Sequence, residues 1–315
     1  MVAVLAAYGV EHPWRTLDFL DVGEGSIALR EQQLVIVVEA RPPVVVPAGD
    51  VAVVLVRDSV SVSGAALAAL SARGTALLVC DWRNVPIGAT SPWREHSRIG
   101  ARVRAQVDCS RPRNKQVWAE LVRAKISGQA WVLRSMVGDQ SGWQDVRSLA
   151  EQVRSGDPDN REGVAAAAYW KRFQPNFIRD RTSGDSFNAA LNYGYTVLRG
   201  HAIRAAAQAG LCLSIGVFHR GPTNQFALAD DLIEPFRPAV GTTVLSLAAD
   251  GFLGISDPEC RRRLVAAGSA PMRGDDGPTV AGQMVLTAQR LGMFFEQSGD
   301  EAFTSPSWRG SPPCG

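Results

Sequence analysis

Hydrophobic positions change their rhythm near residue 90. Before it, "SIALREQQLVIVVE", "PPVVVPAGDVAVVLVRD" and "SVSVSG" are short Val/Ile-rich runs punctuated by Gly, Pro and Asp, which is strand composition. "SGAALAALSARG" has helical composition, with Ser63 placed to cap its start and Gly74 to stop it, and "TALLVCD" returns to a buried strand. From about Arg94 onward, "SRIGARVRAQV", "KQVWAELVRAKISGQAWVLRSM", "DVRSLAEQVRSG", "REGVAAAAYWKRF", "SFNAALNYGYTVLRGHAIRAAAQAG" and "GPTVAGQMVLTAQRLGMFFEQ" carry helical spacing and good helix formers. The pattern predicts an α+β chain. A small β-rich N-terminal domain covers 1–90, a basic interdomain linker 91–110, and a larger all-helical C-terminal domain 111–303. The Pro/Gly/Ser-rich tail 304–315 is expected to be disordered.

Composition narrows the class. No run approaches the ~18 apolar residues of a membrane span, and the apolar start lacks a basic region before it, so neither a membrane protein nor a signal peptide is expected. Five scattered cysteines form no CxxC pair and no disulfide framework, which points to a reducing, cytoplasmic setting. Net charge is only +2, but it is unevenly spread: residues 83–134 hold eleven Lys/Arg against three Asp/Glu. That concentration makes an anionic partner plausible, although a solvated helical surface reads the same way.

Candidate chemistry gathers in "GVFHRGPTNQFALADDLIEPFRP", which places one of only four histidines just upstream of three carboxylates. If "LADDLIEPF" is helical, Asp231 and Glu234 share a face at i and i+3, and a short Gly/Pro loop brings His219 near them. The spacing alone leaves three readings open. Asp230 and its neighbours suit an ordinary acidic helix start. An imidazole with carboxylates suits a Mg²⁺ or Mn²⁺ site. Asp231 and Glu234 could also form a hydrolase acid/base pair, though they are too close together to hold substrate between them. A metal site needs a further ligand from elsewhere, and Glu162, heading "REGVAAAAYWKRF", is the candidate.

Together, "REGVAAAAYW", "FNAALNYGYTVLR" and "GVFHRGPTNQFALADDLIEPFRP" resemble the CRISPR-associated spacer integrase family, in the family's order and with similar separations. "LADDLIEPFRP", "ALNYGY" and "WREHSRI" look most like its type II branch. The resemblance implies a metal-dependent DNA integrase and endonuclease of CRISPR adaptation. In that reaction a 3′-hydroxyl of captured DNA attacks a phosphodiester of the repeat by transesterification. It implies Glu162, His219 and Glu234 as ligands of Mg²⁺ or Mn²⁺ and Asp231 as a supporting catalytic residue, with Tyr169, Asn192 and Tyr193 near the site. Where relatives often carry two adjacent histidines, this chain has Phe218-His219, and His219 keeps the spacing to Glu234.

For DNA grip, Arg94, Arg98, Arg102, Arg104, Arg111, Arg113, Lys115, Arg123 and Lys125 are candidates from the basic block, and Lys171, Arg172, Arg220 and Arg237 adjoin the metal motifs. The family resemblance further implies double-stranded and branched DNA substrates, a homodimer with its N-terminal domain at the dimer and partner contacts, and a heterohexamer with a small ferredoxin-like subunit. The alternative is a catalytically silent DNA-binding scaffold of the same fold.

Overall fold

The computed structural model describes residues 5–8, 17–81, 86–90, 96–272, 277–297 and 302–308. The N-terminal region contains β1 (Leu5–Tyr8), β2 (Leu17–Val22), β3 (Ser26–Arg30), β4 (Gln33–Val37), β5 (Val44–Pro47), β6 (Val53–Arg57), β7 (Ser61–Val62), α1 (Gly64–Ala72), β8 (Ala76–Cys80) and β9 (Pro86–Thr90). They form a five-stranded sheet, β1-β2-β6-β8-β9, and a four-stranded sheet, β5-β4-β3-β7. Strand β6 runs parallel to both β2 and β8, while the outer pairs are antiparallel. Ser63 caps α1 as expected, accepting from the Ala66 amide at 3.2 Å.

The five-stranded sheet serves two cores. Leu20, Val22, Val54, Val56 and Leu77 face the second sheet and α1, whereas Phe19, Val53, Leu55, Ala76 and Leu78 face the helices. A sheet covered on both faces has no polar side, so its strands read as unbroken apolar runs rather than alternating ones. That is the physical origin of "VAVVLV" and "TALLVC".

The helical region contains α2 (Ile99–Asp108), α3 (Arg111–Val132), α4 (Gln140–Glu151), α5 (Arg161–Phe173), α6 (Ser186–Gln208), α7 (Ala227–Ile233), α8 (Arg237–Ala249), α9 (Pro258–Ala266) and α10 (Val280–Glu296). The chain is α+β, with a strand-rich region followed by a helical one. Helix α6 joins the two regions, packing on β6 and β8 as well as on α7 to α10. Gly200 permits this approach, because a Cβ there would lie 2.7 Å from Val53 Cγ1. The Tyr193 hydroxyl donates to buried Asp21 Oδ2 at 2.6 Å, and Arg57 stands 3.4 Å from the other oxygen of Asp21. No helix among the described residues is long and apolar enough to cross a membrane.

Two expectations need correction. Much of 91–110 is not a linker: α2 packs on α10, and Arg102 is buried where it donates to the Ala209 carbonyl at 2.6 Å and pairs with Glu296 at 3.3 Å. Nor is the tail disordered from 304. Trp308 is buried, stacks on Trp131 with centroids 5.6 Å apart, and donates to the Pro235 carbonyl at 2.8 Å. One large aromatic supplies enough apolar area to anchor a segment that its Pro, Gly and Ser would otherwise leave loose. Residues 309–315 lie outside the described residues.

Because Pro235 follows Glu234, Trp308 props the turn that carries a candidate ligand. Trp308→Ala is expected to lower unfolding free energy in urea by about 3–5 kcal/mol. A change below about 1 kcal/mol would show that the tail does not anchor there.

Candidate active site

Three elements meet in a cleft of about 220 Å³ lined by Lys125 and Gln129 of α3, Glu162 and Tyr169 of α5, and His219, Glu234 and Arg237 from the segment around α7. The sequence positions each one locally. Asp157 and Asn160 both adopt positive φ, 49° and 51°, a conformation their short polar side chains tolerate. Asp157 then accepts the Arg161 and Glu162 amides at 2.8 and 2.9 Å, while Asn160 caps Gly163 at 3.2 Å. With the first turn of α5 capped by these neighbours, the Glu162 carboxylate is left to face the cleft.

His219 is set by Asp231. The buried carboxylate accepts the amides of Val217 (2.6 Å), Phe218 (3.0 Å) and His219 (3.2 Å), and its Oδ1 lies 2.6 Å from His219 Nδ1. Burial raises the Asp231 pKa above its ordinary value against these hydrogen bonds, and the contact orients the ring and leaves Nε2 for a ligand. The hydrogen bond to Asp231 raises the His219 pKa above its ordinary value, against the opposing effect of burial. Trp118 meets the ring edge-on at 5.9 Å and stacks on Phe218 at 4.1 Å.

Glu234 sits in a 3-10 turn, Glu234–Phe236, directly after α7. Arg237 Nε donates to its Oε1 at 2.9 Å, and Lys125 Nζ lies 2.5 Å from its Oε2. Burial alone would raise this carboxyl, but Arg237 and Lys125 outweigh it and hold the pKa at about 2. Lys125 Nζ also donates to Glu162 Oε1 at 2.5 Å, so one ammonium joins two of the expected ligands. Burial would lower the Lys125 pKa, but Glu234 and Glu162 reverse that and raise it.

Do these residues fit a divalent ion? Among the described residues, no three carboxylate, imidazole or thiolate groups are gathered tightly enough to hold one as they stand. The donor set nevertheless suits Mg²⁺ or Mn²⁺, since it offers two hard carboxylates and one imidazole. Glu234 Oε2, moreover, is buried, and the Lys125 ammonium at 2.5 Å is the partner that satisfies it. The chemistry fits, and Lys125 is what stands between the carboxylates.

Other expected residues divide clearly. Tyr169 lines the cleft, and burial pushes its phenol well above its ordinary pKa. Asn192 acts one step away, holding cleft-lining Arg179 through its Oδ1 at 2.6 Å. Tyr193 is not at the site; its hydroxyl is spent on Asp21, between sheet and helix. Asp231 and Glu234 are tied to different partners, which removes the acid/base pair reading. Asp230 pairs with Arg199 at 2.5 Å.

Among the expected phosphate contacts, several have structural duties instead. Besides Arg102, Arg113 donates to the Phe294 and Gln297 carbonyls and lies over the Phe294 ring. Arg172 pairs with Asp139 and Asp145, Arg123 with Glu120 and the Val153 carbonyl, and Arg98 with Glu296. Arg237 supports Glu234 and sits 4.4 Å from the Tyr195 ring. Arg104, Arg111, Lys115, Lys171 and Arg220 remain exposed. Arg111 and Arg220 line an adjoining cleft of about 520 Å³ that also reaches His219. Arg94 lies outside the described residues. Sequence reading missed Arg179 and Arg181, which line the cleft from a loop with no motif of its own.

A two-sheet region joined to a helical one has counterparts among solved structures. A casposase bound to integration product superposes with TM-score 0.74 at 18% identity, covering 92% of this chain and 94% of that one. A chain of the Cas6-RT-Cas1–Cas2 complex gives 0.75 at 17%, covering 95% of this chain and 37% of that one. At such identities the likeness is one of fold. The family described as CRISPR associated protein Cas1 matches residues 22–261. The CRISPR-associated endonuclease Cas1 of Neisseria meningitidis serogroup C (strain 8013) is 37% identical over 242 residues, 76% of this chain and 78% of that protein. The chain belongs to the Cas1 family.

The His219–Asp231 pair gives a direct readout in metal-free protein. In Asp231→Asn the imidazole loses its carboxylate partner, so its NMR titration midpoint should move to lower pH than in wild type. An unmoved midpoint would mean that Asp231 does not govern the ring.

Proposed function

We propose that this chain is the metal-dependent integrase and endonuclease of CRISPR adaptation, joining 3′-hydroxyl ends of captured DNA to the repeat by transesterification. The observation that carries the reading is the convergence of Glu162, His219 and Glu234 on one cleft walled by Arg179, Arg181 and Arg237. The Neisseria relative named as an endonuclease and the casposase solved on an integration product support it.

Glu162, His219 Nε2 and Glu234 would hold Mg²⁺ or Mn²⁺. When bound, the ion would supply Lewis-acid stabilisation of the scissile phosphate and lower the pKa of the attacking hydroxyl. The chain's own residues supply the rest. An ionised Asp231 would keep a proton on His219 Nδ1 and so present Nε2 as a lone-pair donor. Arg179 and Arg181 lie where they can take up charge developing on the phosphoryl oxygens. Alignment of the 3′ end with the target phosphate would supply much of the remaining rate. Exposed Arg104, Arg111, Lys115, Lys171 and Arg220 would grip DNA outside the cleft.

The partners we infer are double-stranded and branched DNA, a second copy of the chain, and the small ferredoxin-like subunit in a heterohexamer. A structural neighbour solved as a Cas6-RT-Cas1–Cas2 complex supports a Cas2 partner. A cytoplasmic location follows from the same reading, and the wording of "LADDLIEPFRP" favours a type II system. A silent scaffold would have no reason to keep all three donors in one cleft.

Cleavage and joining of branched DNA should stop in EDTA and return with Mg²⁺ or Mn²⁺. Glu162→Ala and His219→Ala should each lose about 100-fold or more, the scale of a lost transition-state stabiliser. Activity that survives EDTA or either substitution would sink the metal mechanism.

A further inference from the structure

Lys125 lies in the C-terminal part of α3, is only 8% exposed, and places Nζ 2.5 Å from both Glu162 Oε1 and Glu234 Oε2. A magnesium ion ligated by these oxygens would sit at about 2.0–2.1 Å from each. Ammonium and ion would therefore occupy nearly the same point, and the two cannot be held there together. One turn further along the same face of α3, Gln129 is 5% exposed and lines the same cleft. Its Oε1 is buried with no hydrogen-bond partner. A buried amide oxygen left unsatisfied costs about 1–3 kcal/mol, so such an atom calls for an explanation.

We propose that Lys125 is an internal cation that holds the metal position in the metal-free protein, and that loading a divalent ion is an exchange in which its ammonium passes from the two carboxylates to Gln129 Oε1. The proposal rests on the metal-centre reading given above. Without the ion, the ammonium neutralises carboxylates that would otherwise repel each other in a buried cleft. With the ion bound, the same ammonium is re-satisfied one turn away, and the orphan acceptor is satisfied with it. The four-carbon stem of lysine has the freedom to reach i+4 on its own helix. Lys125 is thus a positioning residue with two seats, and ion affinity is set against its hold on the first. An affinity measured on wild type is reduced by the fraction of molecules in which that seat is vacated.

Crystals of wild type grown with EDTA and with MnCl₂ test this directly. The expected result is an anomalous manganese peak among Glu162, His219 and Glu234, with Nζ moved to hydrogen-bonding distance of Gln129 Oε1. Manganese bound while Nζ stays on both carboxylates overturns the exchange and leaves the metal centre standing. No manganese in the cleft overturns both. Calorimetric titration with Mn²⁺ gives a second, solution readout. Lys125→Met should bind about tenfold more tightly than wild type, because the competing cation is gone, and Gln129→Leu should bind several-fold more weakly. Lys125→Met should also melt at a lower temperature in EDTA and gain more from Mn²⁺ than wild type does. Equal or weaker Mn²⁺ binding by Lys125→Met, or unchanged binding by Gln129→Leu, contradicts the two-seat account.

Discussion

Glu162 and Glu234 come from separate elements, and an uncompensated pair of carboxylates would not stay ionised side by side in a largely buried cleft. Lys125 stands between them and Arg237 beside one of them, so the cluster carries two negative and two positive charges. That balance ties α3, α5 and the turn after α7 into one body. It also holds two hard oxygen donors at a common point without a protein carboxylate to spare. Much else serves this arrangement: Asp231 fixes the imidazole, Asp157 frees Glu162, and Trp308 braces the turn beneath Glu234.

The elements that could be read from the chain are those with a local physical signal. Ser63 caps α1 because a hydroxyl can reach the third amide, and the apolar runs of β6 and β8 read as strands because a sheet buried on both faces needs them apolar throughout. Glu162, His219 and Glu234 were legible because each sits in a motif whose neighbours carry the resemblance, and all three do line one cleft. Helices α8 and α9 were not foreseen.

What could not be read is the partner of each charge. Arg102, Arg113 and Arg123 add to a basic count that suggests nucleic acid, yet each is used to tie helix ends or carboxylates together. Lys125 looked like a phosphate contact, since nothing in "RAKISGQ" shows that its face of the helix meets acid from two other segments. Tyr193 sits in the "ALNYGY" motif but turns toward the sheet, a direction that only the packing of α6 decides. Trp308 lies in a stretch whose composition reads as disorder, and a single long-range hydrogen bond and stack override it.

The central claim is that one imidazole and two carboxylates of this cleft hold one divalent ion. Pulsed electron paramagnetic resonance of the protein loaded with a single equivalent of Mn²⁺ measures this most directly. The account predicts one bound ion per chain with a nitrogen coupling from a directly ligated imidazole, lost in His219→Gln while other histidines remain. An ion with no nitrogen coupling, or a coupling that survives His219→Gln, would contradict it.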